Sequence, residues 1–271
     1  MVCEYTHHCM SKNRSGVVQP TATTLDIIDV LLERNGATMG ELSEALNVAE
    51  STVYRHLSTL ENRGYVLDDG DQFTVSLKFL TIGGYLRRQV PAYSMIKEKV
   101  DELAAQTGER AQFIVRERTQ RVYLYTEAGE RPVQTGAYTG RRGPLYASAA
   151  GKAIMACLPK RRREALIDAT DFEQPGPNTI TDPDELRSEL AEIDERGYAF
   201  NFEESTKGVH AVGAAVQAND DIIGALSVSG PATRLKGDRL NVDLPEMVQS
   251  ASNELELHLE HTGSGGSDLG I

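Results

Sequence analysis

The residues best suited to contact another molecule lie in the stretch "STVYRHLSTLENRGYV", which begins at Ser51. Val53, Leu57 and Leu60 recur at helical spacing, so we predict a helix with a single buried stripe. The other faces carry hydroxyl groups, a phenol and a guanidinium, which are groups that contact base edges and phosphates in DNA. Together with a threonine at the start of the preceding helix, the predicted DNA-contacting set is Thr38, Ser51, Thr52, Tyr54, Arg55, Ser58 and Thr59. The alternative is the ordinary solvated face of a core helix.

The segments before and after this helix match a DNA-binding motif. Thr38 and Glu41 have the spacing of a helix capping box, and Asn47 and Glu50 repeat it nine residues later. Two helix starts this close leave room only for a tight turn, which is typical of a helix-turn-helix. The next segment, "YVLDDGDQFTVS", indicates two strands around an Asp-Gly turn, the signature of a wing. A winged helix-turn-helix is therefore predicted over residues 21–76.

The stretch "YASAAGKA" has the composition of an anion-binding helix start. Small Ala149, Ala150 and Gly151 would let a carboxylate approach free backbone N–H groups where a strand-like segment turns into a helix. Lys152 either adds positive charge or is simply solvated. Farther along, Ser227 and Ser229 alternate in "ALSVSG", so both hydroxyls point to one face of a strand. The alternative is that these small residues serve only helix–sheet packing.

Cys3, His7, His8 and Cys9 bring metal-ligand side-chain types into one compact run. Their spacing matches no zinc finger, so we predict no metal site, and a metal or redox sensor remains an alternative. The chain has three cysteines in all, an odd number that does not suggest a disulfide framework. Met10 is an alternative start of the chain.

After the wing, "LKFLTIGGYLRRQV" predicts a connecting helix whose Gly83-Gly84 pair is a candidate hinge. Helix and strand patterns then alternate, which favours helices packed on a mostly antiparallel sheet and an α+β second domain. We predict the linker helix over residues 77–91, the second domain over 92–260, and disordered tails at 1–20 and 261–271.

The chain is acidic, since 40 Asp plus Glu against 28 Lys plus Arg give its 271 residues a net charge of -12. Lys is scarce and Trp is absent, which suits a high-salt host such as a haloarchaeon; an ordinary acidic cytosolic protein is the alternative. Within residues 1–90, 8 Lys plus Arg stand against 11 Asp plus Glu, so we expect base contacts to dominate DNA affinity. No apolar run reaches the roughly 20 residues of a membrane span, and a cytoplasmic location is expected.

The order and spacing of several motifs resemble the IclR family of transcriptional regulators, from about Thr23 to Leu259. The motifs are "STVYRHLSTLENRGYV", "PLYASAAGKAIMACLP", "TITDPDELRSELAEIDERGYA", "KGVHAVGAAV" and "IIGALSVSGPATRL". The resemblance implies an N-terminal winged helix-turn-helix, a linker helix and a GAF-like C-terminal domain that binds a small effector. It also implies a homodimer or homotetramer.

By resemblance, the helix start and the serine pair line the effector site. Two positions depart from the family pattern: Asn201 stands where the residue is often acidic, and Ala211 where it is often Cys. The full effector-binding set is Tyr146, Ala149, Ala150, Gly151, Asn201, Ala211, Ser227 and Ser229. Glu50 departs as well, because family members commonly carry a basic residue there, and we expect its carboxylate to bind the backbone amide of Asn47.

These patterns predict a sequence-specific DNA-binding regulator whose operator affinity is modulated by a small carboxylate or sugar-acid metabolite. The expected partners are double-stranded operator DNA, the effector and further copies of the chain, with no membrane and no cofactor. No nucleophile elbow, HExxH or P-loop motif is present, so no enzymatic activity is predicted. A small-molecule enzyme on the same scaffold remains an alternative, and activation versus repression stays open.

Overall fold

The structure is a computed structural model that describes residues 16–90, 92–131 and 136–263 of the chain. The chain divides between residues 90 and 91 into two compact parts, the N-terminal unit and the C-terminal unit. Each unit has its own elements and its own core, and each is described by itself.

The N-terminal unit contains three helices, a two-stranded antiparallel hairpin and a fourth helix. In chain order these are α1 Gln19–Arg34, α2 Met39–Leu46, α3 Glu50–Asn62, β1 Val66–Asp68, β2 Phe73–Val75 and α4 Lys78–Gln89. The backbone of Ala37 pairs with Phe73 in both directions, at 3.0 and 2.8 Å, and so ties the hairpin to the segment between α1 and α2. The arrangement is the predicted helix-turn-helix followed by a wing.

Aliphatic side chains from every element except α4 form the core of this unit. They are Ile27, Val30, Leu31, Leu42, Val53, Leu57, Leu60 and Val66, with Phe73 and Val75 packed against them. The stripe predicted for α3 is therefore the buried one. Each fully buried aliphatic side chain contributes about 1.5–3 kcal/mol of transfer free energy, which is enough to hold a hairpin too short to be stable alone.

The two predicted capping boxes have different outcomes. At α2 the box is present: Thr38 Oγ1 accepts from Glu41 N at 3.2 Å, and Glu41 Oε2 accepts from Thr38 N at 2.8 Å. At α3 the prediction was wrong, because Ala49 is the N-cap residue and no side chain caps this helix. Asn47 instead ends α2 in the left-handed conformation, with φ of 51°, a conformation that Asn tolerates better than most residues.

Helix α4 runs without interruption through Gly83 and Gly84, and none of its side chains is buried. Its apolar residues are strongly exposed, including Leu80 at 70%, Tyr85 at 56% and Leu86 at 59%. The unit therefore has an uncovered apolar helix at its C-terminal end.

The C-terminal unit is built around a six-stranded sheet with strand order β5-β4-β3-β8-β7-β6, in which all neighbours are antiparallel. In chain order its elements are α5 Tyr93–Thr107, β3 Arg110–Glu117, β4 Gln120–Ala128, β5 Arg142–Pro144, α6 Ala149–Cys157, α7 Lys160–Asp168, α8 Pro183–Arg196, β6 Ala199–Phe202, β7 Val209–Ala218, β8 Asp221–Pro231, a π-helical turn Arg239–Asp243 and α9 Leu244–Gly263. Helix α6 packs on one face of the sheet with α8 beside it, and α5 and α9 pack on the other. The predicted α+β class is confirmed.

Two glycines allow the start of α6 to lie directly on backbone. A Cβ at Gly213 of β7 would come within 2.6 Å of the backbone nitrogen of Ala150, and a Cβ at Gly151 within 1.9 Å of the carbonyl oxygen of Leu145. Any larger residue would force the backbones apart. The helix start is therefore held by main-chain contact as well as by the packing of its buried side chains.

The predicted disordered tails, 1–20 and 261–271, included residues that are helical. Helix α1 already begins at Gln19, and α9 continues to Gly263, so residues 19–20 and 261–263 are helical. Residues 1–15 and 264–271 lie outside the described residues.

Candidate functional site

The exposed face of α3 presents most of the predicted DNA-contacting side chains together. Ser51, Tyr54, Arg55 and Thr59 are exposed, and Tyr54 reaches 60% exposure. Among the described residues, the Arg55 side chain has no hydrogen bond and no ion pair, so its guanidinium is available to a partner. Thr59 is already engaged, because its Oγ1 donates to the carbonyl of Arg55 at 2.8 Å.

Two members of that set, Thr52 and Ser58, are half-buried, and Thr38 lies outside α3. The Thr38 hydroxyl is committed to the capping box: it donates to Glu41 Oε2 at 3.0 Å and accepts from Glu41 N, so it has no hydrogen left to donate to a phosphate. The backbone N–H and the hydroxyl of Thr38 hold the pKa of Glu41 below its usual range. This carboxylate therefore stays ionised at the positive end of the α2 dipole.

The tip of the wing carries three carboxylates, those of Asp68, Asp69 and Asp71. Asp69 Oδ1 accepts from the backbone N–H of Gln72 at 2.9 Å and of Asp71 at 3.1 Å, and these bonds lower the pKa of Asp69. Gly70 closes the turn with φ of 93°. The wing is thus an ordered but negatively charged element, which supports the expectation that positive charge does not dominate DNA affinity.

A small pocket with a free volume of about 30 Å³, partly open to solvent, lies in the C-terminal unit at the start of α6. Five of the predicted effector-binding residues line it: Ala149, Asn201, Ala211, Ser227 and Ser229. The register of the sheet brings them together, because Asn201 pairs with Ala211 and Ala211 pairs with Ser229 across three neighbouring strands. A row of polar and small side chains therefore crosses the sheet beneath the pocket.

Tyr146, Ala150 and Gly151 do not line this pocket. The Tyr146 hydroxyl donates to the carbonyl of Glu173 at 2.7 Å, and its ring packs against Phe172 with centroids 4.8 Å apart. Ala150 lies against Gly213, and the N–H of Gly151 already donates to Ser148 Oγ at 3.1 Å. The predicted anion site on free backbone amides is therefore largely closed, because the helix caps itself and rests on the sheet.

Lys152 follows neither of the two alternatives that the sequence left open. It is only 2% exposed, and its Nζ donates to Glu204 Oε1 at 2.7 Å and to Glu189 Oε1 at 3.4 Å. Burial raises the pKa of Glu204, an effect that the Lys152 ammonium opposes. The lysine holds α6 to the segment after β6 and does not line the pocket.

The pocket also contains residues that the sequence reasoning missed, above all Gln112, Arg121 and Arg141. Arg121 lies on β4 and is only 6% exposed; its Nη1 donates to the carbonyl of Pro144 at 2.7 Å. The signal was present, since Arg121 alternates with Tyr123 and so shares the inward face of a strand. A charged side chain is seldom buried unless it is paired, so an arginine at such a position marks a candidate binding site.

The charge of the lining is one-sided. Arg121 and Arg141 line the pocket, and no aspartate or glutamate does so among the described residues. In a chain of net charge -12, this local excess of positive charge is the opposite of the overall balance. The pocket is suited to an anion of a few non-hydrogen atoms.

No group of three or more potential metal ligands occurs within the described residues. The run Cys3, His7, His8 and Cys9 lies outside them. No described helix is long and apolar enough to cross a membrane.

Comparisons with known proteins agree with this division into two units. The family model described as "IclR helix-turn-helix domain" matches residues 22–70, and the one described as "Bacterial transcriptional regulator IclR C-terminal" matches residues 88–257. The probable HTH-type transcriptional regulator ArcR of Halobacterium salinarum is 34% identical over 241 residues, covering 87% of this chain and 92% of the relative. The HTH-type transcriptional regulator KdgR of Escherichia coli is 25% identical over 236 residues, covering 86% and 89%.

Solved structures share the fold. The IclR structure from Thermotoga maritima superposes with a TM-score of 0.75 at 23% identity, covering 89% of this chain and 98% of that one. An IclR homologue from Microbacterium hydrocarbonoxydans in complex with 4-hydroxybenzoate gives a TM-score of 0.71 at 18% identity, with the same coverage of 89% and 98%. The named relatives are transcription regulators, which confirms the prediction of a regulator over that of an enzyme. The chain therefore belongs to the IclR family of transcriptional regulators.

Proposed function

We propose that the protein is a sequence-specific regulator whose affinity for its operator is set by a small anionic metabolite, a carboxylate or sugar acid. The observation that carries this proposal is the pocket lining, in which the described residues include Arg121 and Arg141 and no acidic side chain. A solved relative binds 4-hydroxybenzoate, which is itself a carboxylate, and this supports the same class of ligand here.

On the DNA side, α3 serves as the recognition helix in the major groove. Arg55 pairs with a guanine, while the exposed hydroxyls and Tyr54 contact phosphates and neighbouring bases. A regulator of this kind acts where the chromosome is, so we infer a cytoplasmic location.

We further infer that the protein acts as a homodimer or homotetramer. The support is the set of apolar side chains that α4 leaves exposed, since Leu80, Tyr85 and Leu86 are all more than half exposed. A second copy of the chain is the occupant that fits, because paired winged helices match a two-fold symmetric operator. Replacing Leu80 and Leu86 by Glu should shift the protein to monomers in analytical ultracentrifugation, and unchanged assembly would exclude α4 as the interface.

The deciding experiment is genome-wide mapping of bound DNA, followed by titration of the mapped operator with and without candidate acids. An effector must bind the DNA-competent and incompetent states with different affinity, and typical coupling changes operator affinity by roughly 5- to 150-fold. If operator affinity responds to neutral metabolites and to no acid, the anionic effector is wrong. The candidate hinge at Gly83-Gly84 is tested by Gly83→Ala, which should keep operator binding and weaken the response.

A further inference from the structure

Two side chains of the pocket are buried with a polar atom that has no partner. Gln112 on β3 is 4% exposed; its Nε2 donates to Ser229 Oγ at 3.2 Å, but its Oε1 accepts no hydrogen bond in the described part of the chain. Arg121 on β4 is 6% exposed, and its Nε likewise has no acceptor there. A buried polar atom without a partner costs free energy that a bound ligand can recover.

Arg121 also differs from the other buried charges. The described residues include four charged side chains that are buried, and Lys152, Glu204 and Glu109 are each paired with an opposite charge. Lys152 meets Glu204 at 2.7 Å, and Glu109 meets Arg234 at 2.6 Å. Only Arg121 among the four has no carboxylate beside it within the described residues. Since a buried guanidinium is stabilised by an anion, the missing partner indicates what the pocket receives.

We propose that Arg121 binds the carboxylate of the effector and that Gln112 accepts a hydrogen bond from a hydroxyl of the same molecule, so that the effector is a small hydroxy acid. This inference rests on the proposed function, in which the effector is an anion, and it names two residues that bind that effector. A guanidinium matches a carboxylate through two parallel hydrogen bonds. An amide oxygen, by contrast, needs a donor, which a hydroxyl supplies and an ionised carboxylate does not.

The neighbours of Gln112 and Arg121 support the same ligand assignment. Gln112 pairs across the sheet with Ser227, and its amide donates to Ser229, so both serine hydroxyls lie next to the proposed hydroxyl position. Arg121 is held by the carbonyl of Pro144, and its guanidinium lies 5.8 Å from the ring centroid of Tyr123. The cation is thus held in place by protein contacts, which reduces the ordering that binding requires.

The test uses the full-length protein and matched acids that differ only at the hydroxyl. Lactate is compared with propionate and pyruvate, and 4-hydroxybenzoate with benzoate, by isothermal titration calorimetry. In at least one set the hydroxy acid should bind ~10-fold or more tightly than its deoxy partner, the size expected for one hydrogen bond. Gln112→Leu should remove this preference and keep binding of the deoxy acid. Tighter binding of pyruvate, or equal binding within both sets, would overturn the assignment of Gln112.

The role of Arg121 is tested by Arg121→Met. Arg121→Lys is the matched variant, because it keeps the positive charge and loses the two parallel N–H groups of the guanidinium. Arg121→Met should abolish acid binding while the Tm of the ligand-free protein stays equal or rises, because an uncompensated buried charge is removed. Arg121→Lys should bind weakly. If Arg121 only held the Pro144 carbonyl, Arg121→Met would lower the Tm of the free protein and leave acid binding measurable, and that result would overturn the proposal.

The failures of the two proposals are distinguishable. If the acids bind without any preference for a hydroxyl and Arg121→Met abolishes binding, the hydroxy-acid assignment is wrong and the anionic effector stands. If the wild-type protein binds lactamide or benzamide and none of the acids, both proposals are wrong. If none of these probes binds, the hydroxy-acid assignment is rejected, and the anionic effector is judged by the operator titrations.

Discussion

Helix α3 and the pocket differ in the burial of the arginine that each offers to a negatively charged partner. On α3, Arg55 is exposed, and the same unit places Glu50 and the carboxylates of the wing tip on its surface. In the pocket, Arg121 is 6% exposed, and no aspartate or glutamate of the described chain lines the walls. An exposed cation stays hydrated and is screened by salt, whereas a buried one has already lost hydration in the free protein. If α3 reads DNA and the pocket binds an anion as proposed, selectivity for DNA comes from the geometry of base contacts and selectivity for the effector's charge from the folded pocket.

This difference between α3 and the pocket requires that the exposed Arg55 contributes to operator binding. Arg55→Ala should weaken binding to the mapped operator by roughly 5- to 150-fold, since a bidentate arginine–guanine pair discriminates by about 1–3 kcal/mol. The measurement is fluorescence anisotropy at one fixed salt concentration. Arg63→Ala, at the other end of α3 and also exposed, is the control. Equal losses in the two variants would show that α3 supplies only charge.

On the pocket side, Gly213→Val should destabilise the protein by about 1–3 kcal/mol, because the new side chain meets the backbone of α6. It should also abolish the thermal shift caused by an acid, since the helix start is displaced. Gly108→Ala is a poor control because φ there is 70°, whereas Gly83→Ala meets nothing within 4 Å and keeps the Tm or raises it slightly. A Gly213→Val protein with wild-type Tm and binding would refute the main-chain contact.

A smaller effect is expected from Thr38→Ala, which removes the cap of α2 and should lower the Tm by ~5 °C. The difference from wild type should depend on pH in a defined direction. Because the folded-state pKa of Glu41 lies below its ordinary value, the stabilisation is present above that ordinary value and is lost as the pH falls through the folded pKa. Thermal melts between pH 7 and pH 3 measure this, and a difference that grows toward low pH would contradict it.

The salt dependence of operator binding is expected to be shallow for a DNA-binding protein. Operator affinity should fall with a slope of log K against log salt equivalent to fewer than about eight released ions, because few cations face the DNA. Acid binding at the buried Arg121 should depend on salt less still. Titrations of both ligands over one salt series sharpen the comparison, and a steeper slope for the acid than for the operator would reverse it.

Most of the N-terminal unit could be predicted because its signals are local. The spacing of Val53, Leu57 and Leu60 determines the buried face of α3, and Thr38 with Glu41 determines the start of α2. The error at Asn47 is also local in origin. Asn suits both an N-cap and a left-handed helix end, and spacing alone does not distinguish the two.

The pocket was only partly predictable because its walls come from distant segments. Ser229 and Gln112 are 117 positions apart and meet through the pairing of β3 with β8, which no local pattern reveals. Lys152 likewise met its partner Glu204 across 52 positions, so its burial was not foreseen. The alternation of Ser227 and Ser229 was visible in the sequence, but the guanidinium opposite them was not inferred. Which members of the predicted effector set contact a ligand stays a prediction.

The close approach of Gly213 to the backbone of Ala150 holds the start of α6, which contributes Ala149 to the pocket, in a position that does not depend on the other pocket side chains. Gln112 of β3 and Arg121 of β4 line the same pocket with side chains that can be replaced. If the pocket binds an acid as proposed, its preference can change through a single substitution at position 112 or 121 without rebuilding the helix. The ligand preference of the pocket can thus be varied while helix α6 and the sheet are kept. This makes the protein a practical starting point for biosensors.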